Sequence, residues 1–349
     1  MELIYISLLI IIAIGISWLF YFYYLKPSSV KHTDVIYMDA LNAILMADKR
    51  KAINLLSGIV KKDSEHINAY LQLGNLLRDD DPDRAIKIHQ MLTVRQNLLK
   101  DQKIEILKSL SLDYDKIGEF LKARIEAEKI LKIDKSNYWA SSFLLDIAEK
   151  TEDWDYAEIK AKNLQKLKGP KNDINLAVYT LQKGIEQLRN NNIEESENLF
   201  RQAINDSPNY GLPYKYLGDI NHLNRDLVKA VENWEKFIEL SPKDNYKVFD
   251  NIETALFDLG RYSEVEKFYR KVLDGNPNDI NAGQRLANVL NEKGENKAAI
   301  ALIDQFIEQN EASISVMLMK LKLSLLTKTP AELGYYLDEI LDKIKNENS

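Results

Sequence analysis

The sequence predicts an all-α chain: a long array of short helical hairpins behind one apolar N-terminal helix. Three observations carry that expectation. The 349 residues include only 13 Gly and 8 Pro, about half the usual share and too few turn residues for a many-stranded β protein. A small residue recurs at a period near 34 along most of the chain. Finally, Leu3 to Leu25 holds 23 residues without a single charge.

That apolar stretch is the first element. As a helix it rises about 1.5 Å per residue, roughly 35 Å in all, enough to cross a hydrocarbon core of about 30 Å. A cleaved signal peptide would need a basic start and small residues at its end. Here Glu2 is the only early charge, and Trp18 to Tyr24 is bulky and aromatic, which suits a membrane interface. Residues 1–25 are therefore read as an uncleaved anchor, with Leu3, Ala13, Ser17, Trp18 and Leu25 marking its length. Ala13 and Ser17 flank Gly15, a small-residue face open to a partner helix or to lipid. No Lys or Arg precedes the stretch, while Lys26, Lys31 and Lys49-Arg50-Lys51 follow it. The excess of cations on that side places the remainder in the cytoplasm. The expectation is a single-pass protein of the inner (cytoplasmic) membrane, with residues 26–33 as a juxtamembrane linker.

The repeats come next. The clearest unit runs from Gly211 to Asp244 and carries Tyr214, Leu217-Gly218, Ala230, Trp234, Phe237 and Pro242. Those landmarks resemble the tetratricopeptide repeat, a helix–turn–helix unit of about 34 residues. Small residues let two antiparallel helices approach, aromatics fill the space between hairpins, and Pro closes the second helix. The small landmark of the second helix falls at Ala52, Ala85, Ala123, Ala157, Ser196, Ala230, Val265 and Ala299. Its spacings are 33, 38, 34, 39, 34, 35 and 34. A ninth, degenerate unit spans roughly 315–345, with Pro330 opening its second helix. The predicted fold is thus a tetratricopeptide-repeat solenoid, a right-handed superhelix of helical hairpins. Repeats 1–4 occupy 34–168, and repeats 5–9 with a polar tail occupy 174–349. The two long spacings mark insertions, one near Arg95–Lys103 and one at Gly169-Pro170-Lys171-Asn172-Asp173. The second is the strongest breaker in the chain and reads either as a hinge or as a longer loop.

No constellation for chemistry appears. With zero cysteines there is no disulfide, thiolate metal site or Cys nucleophile. The four histidines, His32, His66, His89 and His222, hold no short zinc spacing, and no phosphate-binding or nucleophile-elbow motif occurs. His89 sits at the aromatic landmark of repeat two and reads as a packing residue. Asp79-Asp80-Asp81-Pro82-Asp83 lacks the Gly and Glu of a calcium loop and reads as a solvated turn that caps the next helix. A net charge of −6 gives no basic nucleic-acid footprint. Lys61-Lys62 and Lys49-Arg50-Lys51 are either solvated or touch anionic lipid beside the anchor. The chain is expected to be no enzyme and to use no cofactor or metal.

What remains is binding. The first helix of each solenoid pair lines the concave surface. By the repeat register its inward positions include Asn75, Arg78, Lys108, Asp146, Lys215, Asp219, Asp250, Thr254, Arg285 and Asn288. They are polar and mixed in charge, suited to an extended peptide or protein surface. A second copy of the chain is also an admissible partner.

One stretch is more specific than the repeat landmarks. Ala69-Tyr-Leu-Gln-Leu-Gly-Asn-Leu-Leu-Arg78, followed by Asp83-Arg-Ala-Ile-Lys-Ile-His-Gln90 and Leu92, resembles the second repeat of the lipopolysaccharide assembly protein B family. Asp153-Trp154 and Ala157 also fall where that family has a Trp and an Ala. The resemblance implies a short N-terminal anchor and cytoplasmic repeats. It further implies an adaptor that presents the lipid A pathway deacetylase to a membrane AAA protease and so controls lipopolysaccharide synthesis. The family's C-terminal rubredoxin-like module needs two Cys-x-x-Cys pairs, and the sequence has no cysteine to supply them. No catalytic residue carries over. The alternative reading is a general scaffold for another cell-envelope complex.

Overall fold

A computed structural model describes residues 14–17, 32–168, 175–309, 313–325 and 327–347. Among them there is helix and turn but no strand. The chain divides into two compact units, Met1–Asp153 with Lys166–Lys168, and Trp154–Gln165 with Gly169–Ser349. The first holds α1 (His32–Leu45), α2 (Lys49–Lys62), α3 (Ile67–Leu77), α4 (Pro82–Thr93), α5 (Lys100–Lys116), α6 (Phe120–Ile133) and α7 (Tyr138–Lys150). The second takes most of α8 (Trp154–Lys168), then α9 (Ala177–Arg189), α10 (Ile193–Asp206), α11 (Leu212–Leu223) and α12 (Leu227–Leu240). A short 3₁₀ turn at Asn245–Val248 leads into α13 (Phe249–Asp258), α14 (Tyr262–Gly275), α15 (Ile280–Glu292), α16 (Asn296–Gln309), α17 (Ile314–Ser324) and α18 (Pro330–Glu347). Within each unit the main contacts join consecutive helices, so each unit is a stack of antiparallel hairpins in which a helix meets chiefly its neighbours in sequence.

Of the anchor, only residues 14–17 are described. They are helical, and Ser17 is exposed. Leu3, Ala13, Trp18 and Leu25 lie outside the described residues, as does the expected break at 169–173. Among the described residues no helix is long and apolar enough to cross a membrane.

Local chemistry sets the helix ends. The side chains of Asp48, Asp81, Asn137, Asp226 and Asp279 each accept a hydrogen bond from a backbone N–H in the first turn that follows, satisfying a donor that the helix leaves open. The acidic run after α3 is therefore a turn. Asp81 caps α4, Asp80 pairs with Lys49 at 2.9 Å, and Asp79 pairs with Lys116 at 2.8 Å. The Lys116 ammonium, hydrogen-bonded to Asp79, holds that carboxyl below its usual range.

Most hairpin turns share one device. Ala47, Gly118, Glu152, Asn191, Arg225, Gly260 and Gly294 all have positive φ, between 54° and 82°. The next residue's N–H reaches back five positions, as in Asp226 to Asn221 (2.9 Å) and Glu295 to Leu290 (2.8 Å). This is the Schellman closure that occupies orphan carbonyls at a helix C-terminus.

Packing explains the repeat landmarks. All eight small positions of the second helices, from Ala52 to Ala299, are buried. In the second unit Trp234, Phe237, Phe249 and Tyr269 are fully buried in one core. The Phe249 ring meets Tyr269 edge-on at 5.2 Å, a favoured arrangement for aromatic pairs. A Cβ built on Gly218 would lie 2.5 Å from the Trp234 ring, and one on Gly184 would lie 2.5 Å from Phe200. At these two positions only glycine admits the facing ring. His89 plays the same part in hairpin two. It is fully buried against Gly74, its Nε2–H donates to the Leu71 carbonyl (3.2 Å), and its Nδ1 lies 2.5 Å from Asp113 Oδ2.

Candidate functional site

The ten groove residues expected from the register meet different fates. Asn75 and Arg78, at the end of α3, turn inward to the stack. Arg78 Nε donates to Asp113 Oδ1 on α5 (2.7 Å), and its Nη2 donates to Asn75 Oδ1 (2.6 Å) and to the Ser109 carbonyl (3.3 Å). The Asp113 carboxylate, fully buried, thus lies between Arg78 and His89. This network ties hairpin two to hairpin three and leaves the Arg78 side chain only 19% exposed. Lys108 on α5 stands 5.4 Å from the Trp139 ring centroid, within cation–π reach. Asp146 on α7 pairs with Lys150 at 2.8 Å. On α11, Lys215 and Asp219 pair with each other at 2.7 Å, and Asp219 also accepts from Trp234 Nε1 at 2.9 Å.

Asp250, Arg285 and Asn288 come together. They line one groove of about 520 Å³ across α13, α15 and α17, with Tyr246, Asn281, Gln284, Ser315, Leu318 and Lys322. Arg285 Nη2 pairs with Asp250 Oδ1 at 2.6 Å, and its Nη1 lies 3.4 Å from Glu253 Oε2. Burial lowers the basicity of Arg285, but the Glu253 and Asp250 carboxylates more than offset it, so its pKa is raised. The Tyr269 hydroxyl donates to Glu253. Burial first, and then that carboxylate, push the Tyr269 pKa well above the usual phenol range. Thr254 is exposed one turn along α13 and donates to its own helix at the Asp250 carbonyl (2.8 Å).

The remaining wall is amide-rich. Asn281, Gln284 and Asn288 follow one another at three and four residues on α15, which puts them on one helix face. Gln284 donates to Ser315 Oγ at 2.6 Å, and Lys322 Nζ donates to Asn288 Oδ1 at 3.0 Å. Among the described lining residues, Lys322 is a cation with no carboxylate beside it, whereas Arg285 has two. Sequence reasoning missed Tyr246, Asn281, Gln284 and Lys322. The repeat itself held a signal for one of them, since Lys322 stands 34 positions after Asn288. Chemically, the groove offers hydrogen-bond donors and acceptors in a row, one free positive charge, and two exposed apolar side chains, Tyr246 and Leu318. It has the groups to hold an extended polypeptide.

No family model matches the chain. Curated relatives do, two of which illustrate the range. One from Escherichia coli K12 is 23% identical over 275 residues, covering 78% of this chain and 70% of the relative. Another from Haemophilus influenzae is 26% identical over 289 residues, covering 80% and 72%. Both are named lipopolysaccharide assembly protein B. The chain is similar to lipopolysaccharide assembly protein B over most of its length. The stretch read above as resembling that family, Ala69–Arg78 and Asp83–Gln90, falls on α3 and α4, whose Arg78 and His89 meet Asp113 of α5. Solved structures with some likeness include a tetratricopeptide repeat protein from Parabacteroides merdae. It has a TM-score of 0.38 and 13% identity, covering 84% of this chain and 98% of that one. A second is Naa15/Naa10 bound to HypK-THB, with a TM-score of 0.43 and 14% identity, covering 91% of this chain and 47% of that one.

Proposed function

We propose that the chain is a membrane-anchored, cytoplasm-facing tetratricopeptide adaptor that regulates lipopolysaccharide synthesis by presenting a lipid A pathway enzyme, the deacetylase, to a membrane AAA protease. The groove of Asp250, Arg285, Asn288 and Lys322 carries the client-binding part of this reading. Similarity to lipopolysaccharide assembly protein B supports the pathway, and the uncharged stretch at 3–25 supports the anchor. Affinity capture of the full chain from solubilised membranes is expected to recover the protease and the lipid A enzyme. The Arg285→Glu, Lys322→Glu double variant is expected to lose the enzyme. Deleting residues 1–26 should release the chain from membranes and stop client turnover. An unchanged client half-life after that deletion refutes the adaptor role, and a C-terminal reporter active only outside the cytoplasm refutes the orientation.

A second reading, a general scaffold for another cell-envelope complex, is favoured by the mixed polar lining of the groove, which singles out no one client. Capture of envelope proteins without either protease or lipid A enzyme would select it.

A further inference from the structure

The first helix of the stack is apolar on both sides. One face of α1 packs Ala40, Ala43, Ile36, Tyr37 and Ile44 into the first hairpin. The other face leaves Val35, Met38 and Leu45 exposed at 49%, 64% and 84%, with Met46 just beyond at 83%. Val35, Met38, Asn42 and Leu45 recur at three- and four-residue spacing and so share one stripe. A terminal repeat ordinarily turns a polar face outward, so an outward stripe with three of its four residues apolar calls for something apolar against it.

The charge around that stripe points to what covers it. Residues 26–62 hold seven Lys or Arg against three Asp, a net of +4, in a chain whose formal charge is −6. Arg50 and Lys51 open α2, and Lys61 and Lys62 close it. None of these four has a carboxylate within ion-pair distance among the described residues, whereas Lys49 is taken up by Asp80. Of the two carboxylates on α1, Asp34 lies 3.6 Å from His66 Nε2, and Asp39 is exposed. The six residues 26–31 between the apolar stretch and α1 reach at most about 25 Å, so α1 begins within that distance of the bilayer. Anionic headgroups attract basic segments at this range, and an exposed apolar helix stripe whose hairpin partner carries four cations, unpaired among the described residues, suits the headgroup layer.

We propose that this face of α1 seats on the anionic surface of the membrane that residues 3–25 enter. Arg50, Lys51, Lys61 and Lys62 meet lipid phosphates, and Val35, Met38, Leu45 and Met46 enter the boundary between headgroups and acyl chains. This inference rests on the anchor reading above. Its effect is to fix the first hairpin against the bilayer.

The absence of cysteine permits a direct test on the full chain. An environment-sensitive fluorophore is attached at Met38→Cys or Met46→Cys. Leu121→Cys, on α6 of the same unit and 71% exposed, serves as control. Each is reconstituted into phosphatidylcholine vesicles with or without phosphatidylglycerol, carrying a headgroup nitroxide quencher. Quenching several-fold stronger at the two α1 sites than at the control, and dependent on phosphatidylglycerol, is the expected result. Lys61→Glu with Lys62→Glu should weaken the seated state by roughly tenfold or more while the chain still floats with the vesicles. Equal quenching at all three sites in vesicles that retain the chain overturns the seat and leaves the anchor standing. Energy transfer between labelled copies in place of lipid quenching assigns the face to a second copy and overturns it too. A chain absent from the floating fraction overturns the anchor and the seat with it.

Discussion

Two glycines in the helices should respond oppositely to the same methyl group. At Gly218 on α11, an added Cβ would stand 2.5 Å from Trp234 Cδ1 and Nε1 and 2.9 Å from its Cγ. Carbon pairs normally rest at about 3.5–4.0 Å, so the ring must move by about 1 Å. Trp234 is fully buried and its Nε1 donates to Asp219 at 2.9 Å, so that movement strains packing and hydrogen bond together. Overpacking costs about 1–3 kcal/mol, and the gain in helix propensity from Gly to Ala returns at most about 1 kcal/mol. Gly218→Ala is therefore expected to destabilise, by up to about 2 kcal/mol. At Gly58 on α2 nothing lies within 4 Å of the added atom. Only the propensity term acts there, and Gly58→Ala should stabilise by about 0.5–1 kcal/mol. The assay is native-state amide exchange of the full chain in detergent, read for α11–α12 and for α1–α2, because hairpin stacks open locally. Equal stabilisation by both substitutions would refute the close-approach account of the Leu-Gly landmark.

Three further outcomes follow from the same geometry. Asp113→Asn leaves the buried His89 and the partly buried Arg78 without their carboxylate, and breaking a buried ionic pair typically costs about 3–5 kcal/mol. Loss of exchange protection across α3–α5 is the readout, and a change below about 1 kcal/mol would rule out an essential network. Arg225 is exposed and holds φ at 62°. Left-handed backbone costs a non-glycine residue about 1–2 kcal/mol, so Arg225→Gly should stabilise by about 0.5–1 kcal/mol after the glycine entropy cost. Urea unfolding followed by circular dichroism detects it, and a lowered midpoint contradicts the strain. Lys328 first, then the backbone and hydroxyl of Thr329, hold the Glu332 carboxyl down at about 2 from its ordinary 4.5. A depressed carboxylate supports the fold above its unfolded pKa and loses that support as pH falls. The first turn of α18 should accordingly loosen between pH 4.5 and about 2. Glu332→Gln should remove this pH dependence from its amide exchange, and an unaltered profile would count against the cap.

The period was legible because it records close packing. Gly218 faces Trp234 across one hairpin, Ala230 lies one turn before Trp234 on its own helix, and their equivalents recur wherever two helices must approach as closely. Register places Asp250, Arg285 and Asn288 on one side of the first helices, and they line one groove, whereas Thr254 from the same register does not. Arg78 shows where register stops. Its partner Asp113 lies 35 positions away on another hairpin, and no local pattern says that an inward-facing cation is spoken for. Tyr246 was hidden because it sits in a 3₁₀ turn that interrupts the repeat before α13. Lys322 was hidden by the degenerate landmarks of the ninth hairpin. The turn conformation at Glu152 and Arg225 runs against residue preference, because the Schellman closure is imposed by the helices on either side.

The side-chain bonds across the groove have a consequence for selectivity. Arg285 to Asp250, Gln284 to Ser315 and Lys322 to Asn288 each join one hairpin to the next, so these six side chains are already partnered in the free groove. A segment entering it exchanges bonds instead of adding them. Any group it displaces must be matched in kind, since an unmatched one costs about 1–3 kcal/mol, more if charged. If the groove holds a client as proposed, weakly fitting chains would be turned away by its internal bonding, with a stringency set by how well neighbouring hairpins already satisfy each other.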